Sequence, residues 1–223
     1  MDHSDAMREG IAILEVSGLG ASLVILDQVE KAARVRLWQA ELNDFYGFVL
    51  KITGDASALQ TAVAVARQTA EMLQVSCVTT VIEAPDDRAR VGIASAVEYN
   101  PLIEQNVVYV PAEHVSAGTP LQRESGIAPM NSPAPFAIGL IETQGFTAVF
   151  EAIDTAVKTA NVEVLAREKL GGGYITVVIK GDVAAVRAAI DAGSAKVAGL
   201  GKLIAAHVIA SPSQAVLSLL PVK

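Results

Sequence analysis

The residues best suited to acid–base chemistry are two glutamates, Glu15 and Glu142, and each follows a short apolar segment that predicts a strand. A pair of carboxylates can act as general acid and general base. Both glutamates, however, occupy the same place in two similar stretches of the chain. A position that recurs in this way favours a structural hydrogen bond that both stretches share.

Two glycines, Gly18 and Gly20, stand between a predicted strand and a predicted helix, where backbone amides can cradle a phosphate. A dinucleotide-binding loop needs a third glycine and an acidic residue at the end of a following parallel strand. The sequence has neither, and the second stretch has only Gly145 at this place. We therefore expect no nucleotide cofactor.

Nucleophiles and metal ligands are scattered along the chain. The three histidines, His3, His114 and His207, form no group with cysteines or carboxylates at the spacing of a metal site. Cys77 aligns with an isoleucine of the second stretch, which favours a small buried side chain over a reactive thiol. Because no nucleophile has a base and an acid beside it, we expect neither a metal site nor an enzyme.

The composition narrows the class of protein further. Net charge is −7, which argues against nucleic acid as the main partner, since phosphate binding needs clustered Lys and Arg. The longest apolar runs are shorter than the roughly 20 residues of a membrane-spanning helix. Residues 1–5 are polar and show no signal-peptide core, and the single cysteine suits a reducing compartment. We expect a soluble cytoplasmic protein without nucleic acid or membrane partners.

The chain repeats itself after 127 positions. Residues 11–85 align with 138–212 without a gap, and 18 of these 75 positions are identical. The identities span the whole window, and many are Gly, Asp or Lys, such as Gly54-Asp55 on Gly181-Asp182. Gapless similarity over this length indicates two copies of one domain.

Each copy predicts the order β-α-β-β-α-β, a small sheet with helices on one face. The expected fold is therefore α/β (α+β), with two tandem ferredoxin-like domains. Residues 10–111 form the first domain, of which 88–111 are an extension that packs on the copy itself. Residues 112–135 are rich in Pro, Ser and Gly and predict a flexible linker, and residues 136–223 form the second domain.

The second copy resembles the shell domain of bacterial microcompartments (BMC). Residues 137–145 resemble its opening strand and turn, 154–162 its edge helix, and 168–177 its pore loop and following strand. The first copy is more divergent but keeps the register. The whole chain is similar to the tandem, trimer-forming class of this family, with the element order unpermuted in both copies.

The resemblance implies a structural shell subunit without a catalytic site. Such a subunit forms a homotrimer of pseudohexameric shape that assembles with other shell proteins, and the trimers of some members stack in pairs. Its central pore gates or blocks the passage of metabolites. The pore-lining residues that the resemblance implies are Asn43, Asp44, Phe45, Tyr46, Gly171, Gly172 and Gly173, and the tile-edge residues are Lys31, Lys158 and Asn161.

Two alternatives stay open in this interpretation. The gapless alignment places Phe45 opposite Gly172, whereas a slip of one residue would place Tyr46 there. A different class of protein is also compatible with the sequence, namely a regulatory protein of two ferredoxin-like domains. Its small-molecule cleft would lie between the copies, with the run from Gly171 to Gly173 facing the ligand.

Overall fold

In the computed structural model, which describes residues 9–43, 46–102, 105–111 and 136–220, each copy forms an antiparallel sheet with two helices. The first domain consists of β1 (Gly10–Ser17), α1 (Leu19–Ala32), β2 (Val35–Asn43), β3 (Gly47–Gly54), α2 (Ala56–Leu73) and β4 (Cys77–Ile82). The second consists of β8 (Ala137–Gln144), α4 (Phe146–Thr159), β9 (Glu163–Gly171), β10 (Tyr174–Gly181), α5 (Val183–Ala195) and β11 (Lys202–Ile209).

The sheets have the same strand order, β4-β1-β3-β2 in the first domain and β11-β8-β10-β9 in the second. Together with the chain order β-α-β-β-α-β, this is the ferredoxin-like arrangement, so the predicted α+β fold and its unpermuted order are confirmed. The predicted turns into the second helices are also present. Asp55 caps α2 by accepting from the Ala58 amide at 2.8 Å, and Asp182 caps α5 by accepting from Ala185 at 2.9 Å.

The extension after β4 contains α3 (Asp87–Ile93), β5 (Tyr99–Asn100), β6 (Gln105–Asn106) and β7 (Val108–Tyr109). β7 continues the first sheet beyond β2, while β5 and β6 form a separate ribbon. A final helix, α6 (Gln214–Leu219), begins 127 residues after α3, so the repeat continues past the aligned window. The expected linker at 112–135 lies outside the described residues and stays a prediction.

The two domains share one hydrophobic core through α1. One face of the second sheet is covered by its own helices, α4 and α5. Its other face, with Ile138, Leu140 and Val178, joins the core of the first domain. Helix α1 therefore lies between the two domains and contacts both β8 and β11.

Candidate functional site

The two hairpin loops implied as pore-lining occupy equivalent places. The amide of Gly18 donates to the Tyr46 carbonyl at 3.0 Å, and the amide of Gly145 donates to the Gly173 carbonyl at 3.0 Å. Tyr46 is thus the counterpart of Gly173, which favours the gapless register and makes Phe45 the counterpart of Gly172. Asp44 and Phe45 themselves lie outside the described residues.

The glycine loop of the second domain requires glycine for its backbone. Gly171, Gly172 and Gly173 all have positive φ angles, of 81°, 58° and 81°. A Cβ atom on Gly171 would meet nothing within 4 Å, so space is not the constraint there. Since only glycine adopts this conformation without strain, the loop presents backbone and no side chains.

The Tyr46 ring packs at the domain junction. It stacks on Tyr174 of the second domain with ring centroids 3.9 Å apart, and its hydroxyl lies beside the Glu142 carboxylate. Burial and the nearby Glu142 charge raise the pKa of Tyr46 well above its usual range. Tyr46 therefore belongs to the contact between the two domains. Sequence reasoning missed the stack, although an aromatic residue directly after the glycine run was a visible signal.

Glu142 is the polar centre of the domain junction. It is 0% exposed, and its two carboxylate oxygens accept from the backbone amides of Leu19 at 3.3 Å and Gly20 at 2.9 Å. Burial raises the pKa of Glu142, against the opposing effect of the hydrogen bonds that it accepts. The carboxylate thereby caps α1, which has no side-chain cap from its own segment.

The predicted structural hydrogen bond is confirmed for Glu142, but among the described residues Glu15 does not accept from a helix N-terminus as Glu142 does. Glu15 is exposed and accepts from the Asn43 side-chain amide at 2.6 Å. The glycine motif also finds its explanation here. A Cβ atom on Gly20 would lie 3.1 Å from Glu142 and 3.3 Å from His207, so glycine allows α1 to approach the second sheet closely.

The lysines implied at the tile edge differ in their surroundings. Lys31 pairs with Asp27 at 2.7 Å and also donates to the carbonyl of Ser211 in the second domain at 2.5 Å. Lys158 pairs with Asp154 at 2.6 Å, and both side chains are exposed. Asn161 is exposed just after α4. Lys31 thus lies at the contact between the domains, whereas Lys158 and Asn161 are exposed.

The repeat-related faces of α1 and α4 differ sharply in exposure. On α1, Leu19 and Leu23 are 6% and 0% exposed, because the second domain covers them. Their counterparts on α4, Phe146 and Phe150, are 41% and 49% exposed. Within the described part of the chain, α4 therefore presents the apolar face that α1 buries. Sequence periodicity marks both helices as amphipathic but does not show which one is covered.

A buried charge network holds the extension on the first sheet. Lys51 is 4% exposed, lies 2.9 Å from Glu41, and donates to Gln39 at 3.0 Å and to the Ile93 carbonyl at 2.5 Å. The Ser95 hydroxyl donates to Glu41 at 2.5 Å. Every group has a partner, so the network is a structural anchor. The signal in the sequence was a lysine within an otherwise apolar strand.

The remaining candidates for chemistry have packing roles. Cys77 packs at the edge of the core, and burial raises the pKa of its thiol, as expected for a structural cysteine. Burial lowers the pKa of His207, which favours the neutral ring. His3 and His114 lie outside the described residues. Among the described residues, no cluster of three or more metal-ligating side chains occurs.

The space between the domains is small. A cavity of about 10 Å³, lined by Leu23, Phe48, Leu170 and other mostly apolar residues, has room for about one water. This cavity is too small for the metabolite that the regulatory alternative would bind between the copies. No helix in these parts of the chain is long and apolar enough to cross a membrane.

Comparisons with known proteins agree with this architecture. The model of the BMC domain matches residues 10–85 and 137–212, which correspond to the two β-α-β-β-α-β units. The bacterial microcompartment shell protein PduA of Citrobacter freundii is 48% identical over 85 residues, 38% of this chain and 91% of that protein. The carboxysome shell protein CcmK2 of Thermosynechococcus vestitus is 44% identical over 91 residues, 40% of this chain and 89% of that protein.

A crystal structure of a microcompartments protein from Desulfitobacterium hafniense DCB covers 92% of this chain and 96% of its own, at 26% identity and a TM-score of 0.34. The family model covers more than half of the chain, and it does so as two separate units. The chain therefore belongs to the BMC domain family and carries two BMC domains in tandem.

Proposed function

We propose that this protein is a structural, non-enzymatic shell subunit of a bacterial microcompartment in the cytoplasm. Relatives that match one of its domains over most of their own length are shell proteins by name. The observation that carries the proposal is the unequal exposure of α1 and α4. One domain junction is formed within the chain, and a second surface of the same kind is left uncovered.

This second surface supports assembly into a ring. Because the two domains have the same fold, α4 of one chain can dock on the first sheet of the next chain as α1 docks on the second sheet. Head-to-tail contacts of this kind close into a ring when the rotation fits. Six domain positions, as the resemblance implies, require three chains, which gives a pseudohexameric homotrimer.

In such a trimer the hairpin loops meet around the axis and form the pore. Three copies of Gly171, Gly172 and Gly173 contribute backbone, and three copies of the segment from Asn43 to Tyr46 contribute side chains. Phe45, the counterpart of Gly172, brings three rings toward one axis, where they narrow or close the channel. Lys158 and Asn161 contact neighbouring trimers or other shell proteins at the tile edge.

Light scattering during size-exclusion chromatography tests the assembly. We expect a particle of about three times the chain mass of 23.2 kDa, or twice that if trimers stack in pairs. Concentrated samples should form sheets or strips visible by electron microscopy. A stable monomer throughout the micromolar range would contradict the proposed function.

A further inference from the structure

Helices α1 and α4 begin in the same unusual way. Each starts after a glycine with positive φ, Gly18 at 87° and Gly145 at 118°, and neither has a cap from a side chain of its own segment. Neither helix has an acidic residue in its first turn. The first amides of a helix lack partners within the helix, so both N-termini need an acceptor from elsewhere.

For α1 the acceptor is a carboxylate of the other domain. Glu142 accepts from the first two amides of α1, at Leu19 and Gly20. For α4, whose corresponding amides belong to Phe146 and Thr147, no side chain in the described residues provides a cap. The chain thus contains one helix N-terminus with its capping carboxylate, at α1, and one equivalent N-terminus without such a carboxylate among the described residues, at α4.

The first domain carries a carboxylate at the position equivalent to Glu142. Glu15 is the counterpart of Glu142 and lies near the end of β1, on the face of the sheet opposite the core residues Leu14 and Val16. It is exposed, and the Asn43 side chain holds it in place. Its position on the first sheet is the one that Glu142 occupies beneath α1 on the second.

Beside each carboxylate, the sheet residue and the helix residue that would face it also complement each other in size. In the second domain, His207 lies beside Leu140, and a Cβ on Gly20 of the helix above would approach the His207 ring to 3.3 Å, a tight contact that glycine avoids. In the first domain the place of His207 is taken by the smaller, exposed Thr80, beside Ile13. Thr147 occupies the place of Gly20 on α4. A smaller residue on the sheet therefore makes room for the larger one on the helix.

We propose that Glu15 of each subunit caps helix α4 of the neighbouring subunit, by accepting from the backbone amides of Phe146 and Thr147. The inference rests on the proposed trimer, and it names the second copy of this chain as the occupant of the exposed α4 face. The apolar contact is made by Phe146 and Phe150, which the junction covers as Leu19 and Leu23 are covered within the chain.

The test compares Glu15→Ala with a matched control, Glu71→Ala, which removes an exposed glutamate from α2. Analytical ultracentrifugation of the full chain should show a dissociation constant raised roughly tenfold per junction for Glu15→Ala and unchanged for the control. Hydrogen exchange followed by mass spectrometry should show faster exchange at the start of α4, far along the chain from the substitution. If the Ala variant does not fold, Glu15→Met decides the question, because it keeps the length of the side chain but has no oxygen that could accept from the α4 amides.

The outcomes separate this inference from the proposed function. A trimer whose affinity and α4 exchange are the same with and without the Glu15 carboxylate overturns the helix cap and leaves the shell function standing. A wild-type chain that stays monomeric overturns the proposed function itself. Weaker assembly together with faster exchange at α4 supports the cap.

Discussion

At the scale of single residues, the Glu142 side chain connects the two domains. It lies near the end of strand β8 in the second domain and caps helix α1 of the first, at the cost of removing a carboxylate from water. Burial accordingly raises its pKa. Gly20 leaves room for this close approach, because a Cβ there would lie only 3.1 Å from a Glu142 carboxylate oxygen.

Replacing Glu142 by Gln is expected to change the pH dependence of stability. Because the pKa of Glu142 is higher in the folded state, the folded protein binds a proton that the unfolded chain releases. The advantage of wild type over Glu142→Gln is therefore complete below the ordinary pKa of 4.5 and is lost as the pH rises through the raised value. Urea unfolding of both proteins between about pH 4 and pH 8 measures this difference. Glu71→Gln serves as the exposed control, and parallel profiles for Glu142→Gln and wild type would refute the expectation.

Gly172→Ala is expected to destabilise the protein by about 1–2 kcal/mol, because its φ of 58° lies in the left-handed region. The matched control is Gly92→Ala in helix α3, where φ is not positive and a Cβ would meet nothing within 4 Å. That change should stabilise slightly, since alanine favours helices over glycine by about 0.5–1 kcal/mol. Equal effects of both substitutions in thermal unfolding would show that the loop does not require glycine.

At the scale of elements, much of the fold is predictable because each copy follows simple rules. Apolar strands, helical periodicity and the turns at Gly54-Asp55 and Gly181-Asp182 predict the β-α-β-β-α-β order. The side chains that join the domains are harder to foresee, since the Tyr46–Tyr174 stack and the Lys51 network depend on contacts between distant segments. A sequence pattern shows that a face is apolar, but not which other element covers it.

The buried ion pair is expected to hold the extension in place. Lys51→Met leaves Glu41 without its cation, and we expect a loss of about 3 kcal/mol, at the lower end of the usual range because Glu41 is 23% exposed. Limited proteolysis should then cleave the segment around Ile93 and Ser95 faster than in wild type. The double variant Lys51→Met/Glu41→Gln should recover part of the loss. A single variant as stable and as resistant as wild type would exclude the anchoring role.

At the scale of the whole molecule, the two domains are equal in fold and unequal in surroundings. Helix α1 of the first domain is buried against the second domain, while helix α4 of the second domain is exposed. A chain that leaves α4 open on the second domain and the Glu15 face open on the first domain can join further copies only head to tail.

Phe150→Asp is expected to block assembly without unfolding the domains, because it places a charge on an apolar face that the trimer would bury. Met72→Asp, at an apolar residue of α2 that is 69% exposed against 49% for Phe150, is the control and should leave the trimer intact. Native mass spectrometry measures how much trimer each variant forms. Loss of trimers in both variants would indicate a general effect of charge and not a specific surface.

Phe45→Ala is expected to raise the permeability of the pore to small polar solutes, since it removes three rings from the axis of the proposed trimer. Passage of a solute into reconstituted shells measures the effect. Tyr46→Phe keeps an aromatic ring beside the loop and provides the control. Unchanged passage after Phe45→Ala would mean that the glycine loops alone set the opening.

The stacked pair of Tyr46 and Tyr174 has glycines at the repeat-related places, Gly173 and Gly47. In a hexamer built from a single-domain chain, any mutation appears at all six contacts between domains. A bulky aromatic side chain must therefore fit at every one of these contacts. Two fused domains halve that constraint, because the contact inside the chain and the contact between chains are formed by different residues of the sequence. In the proposed trimer, the boundary inside each chain therefore carries the Tyr46–Tyr174 stack, while the boundary between chains carries glycines and can change separately.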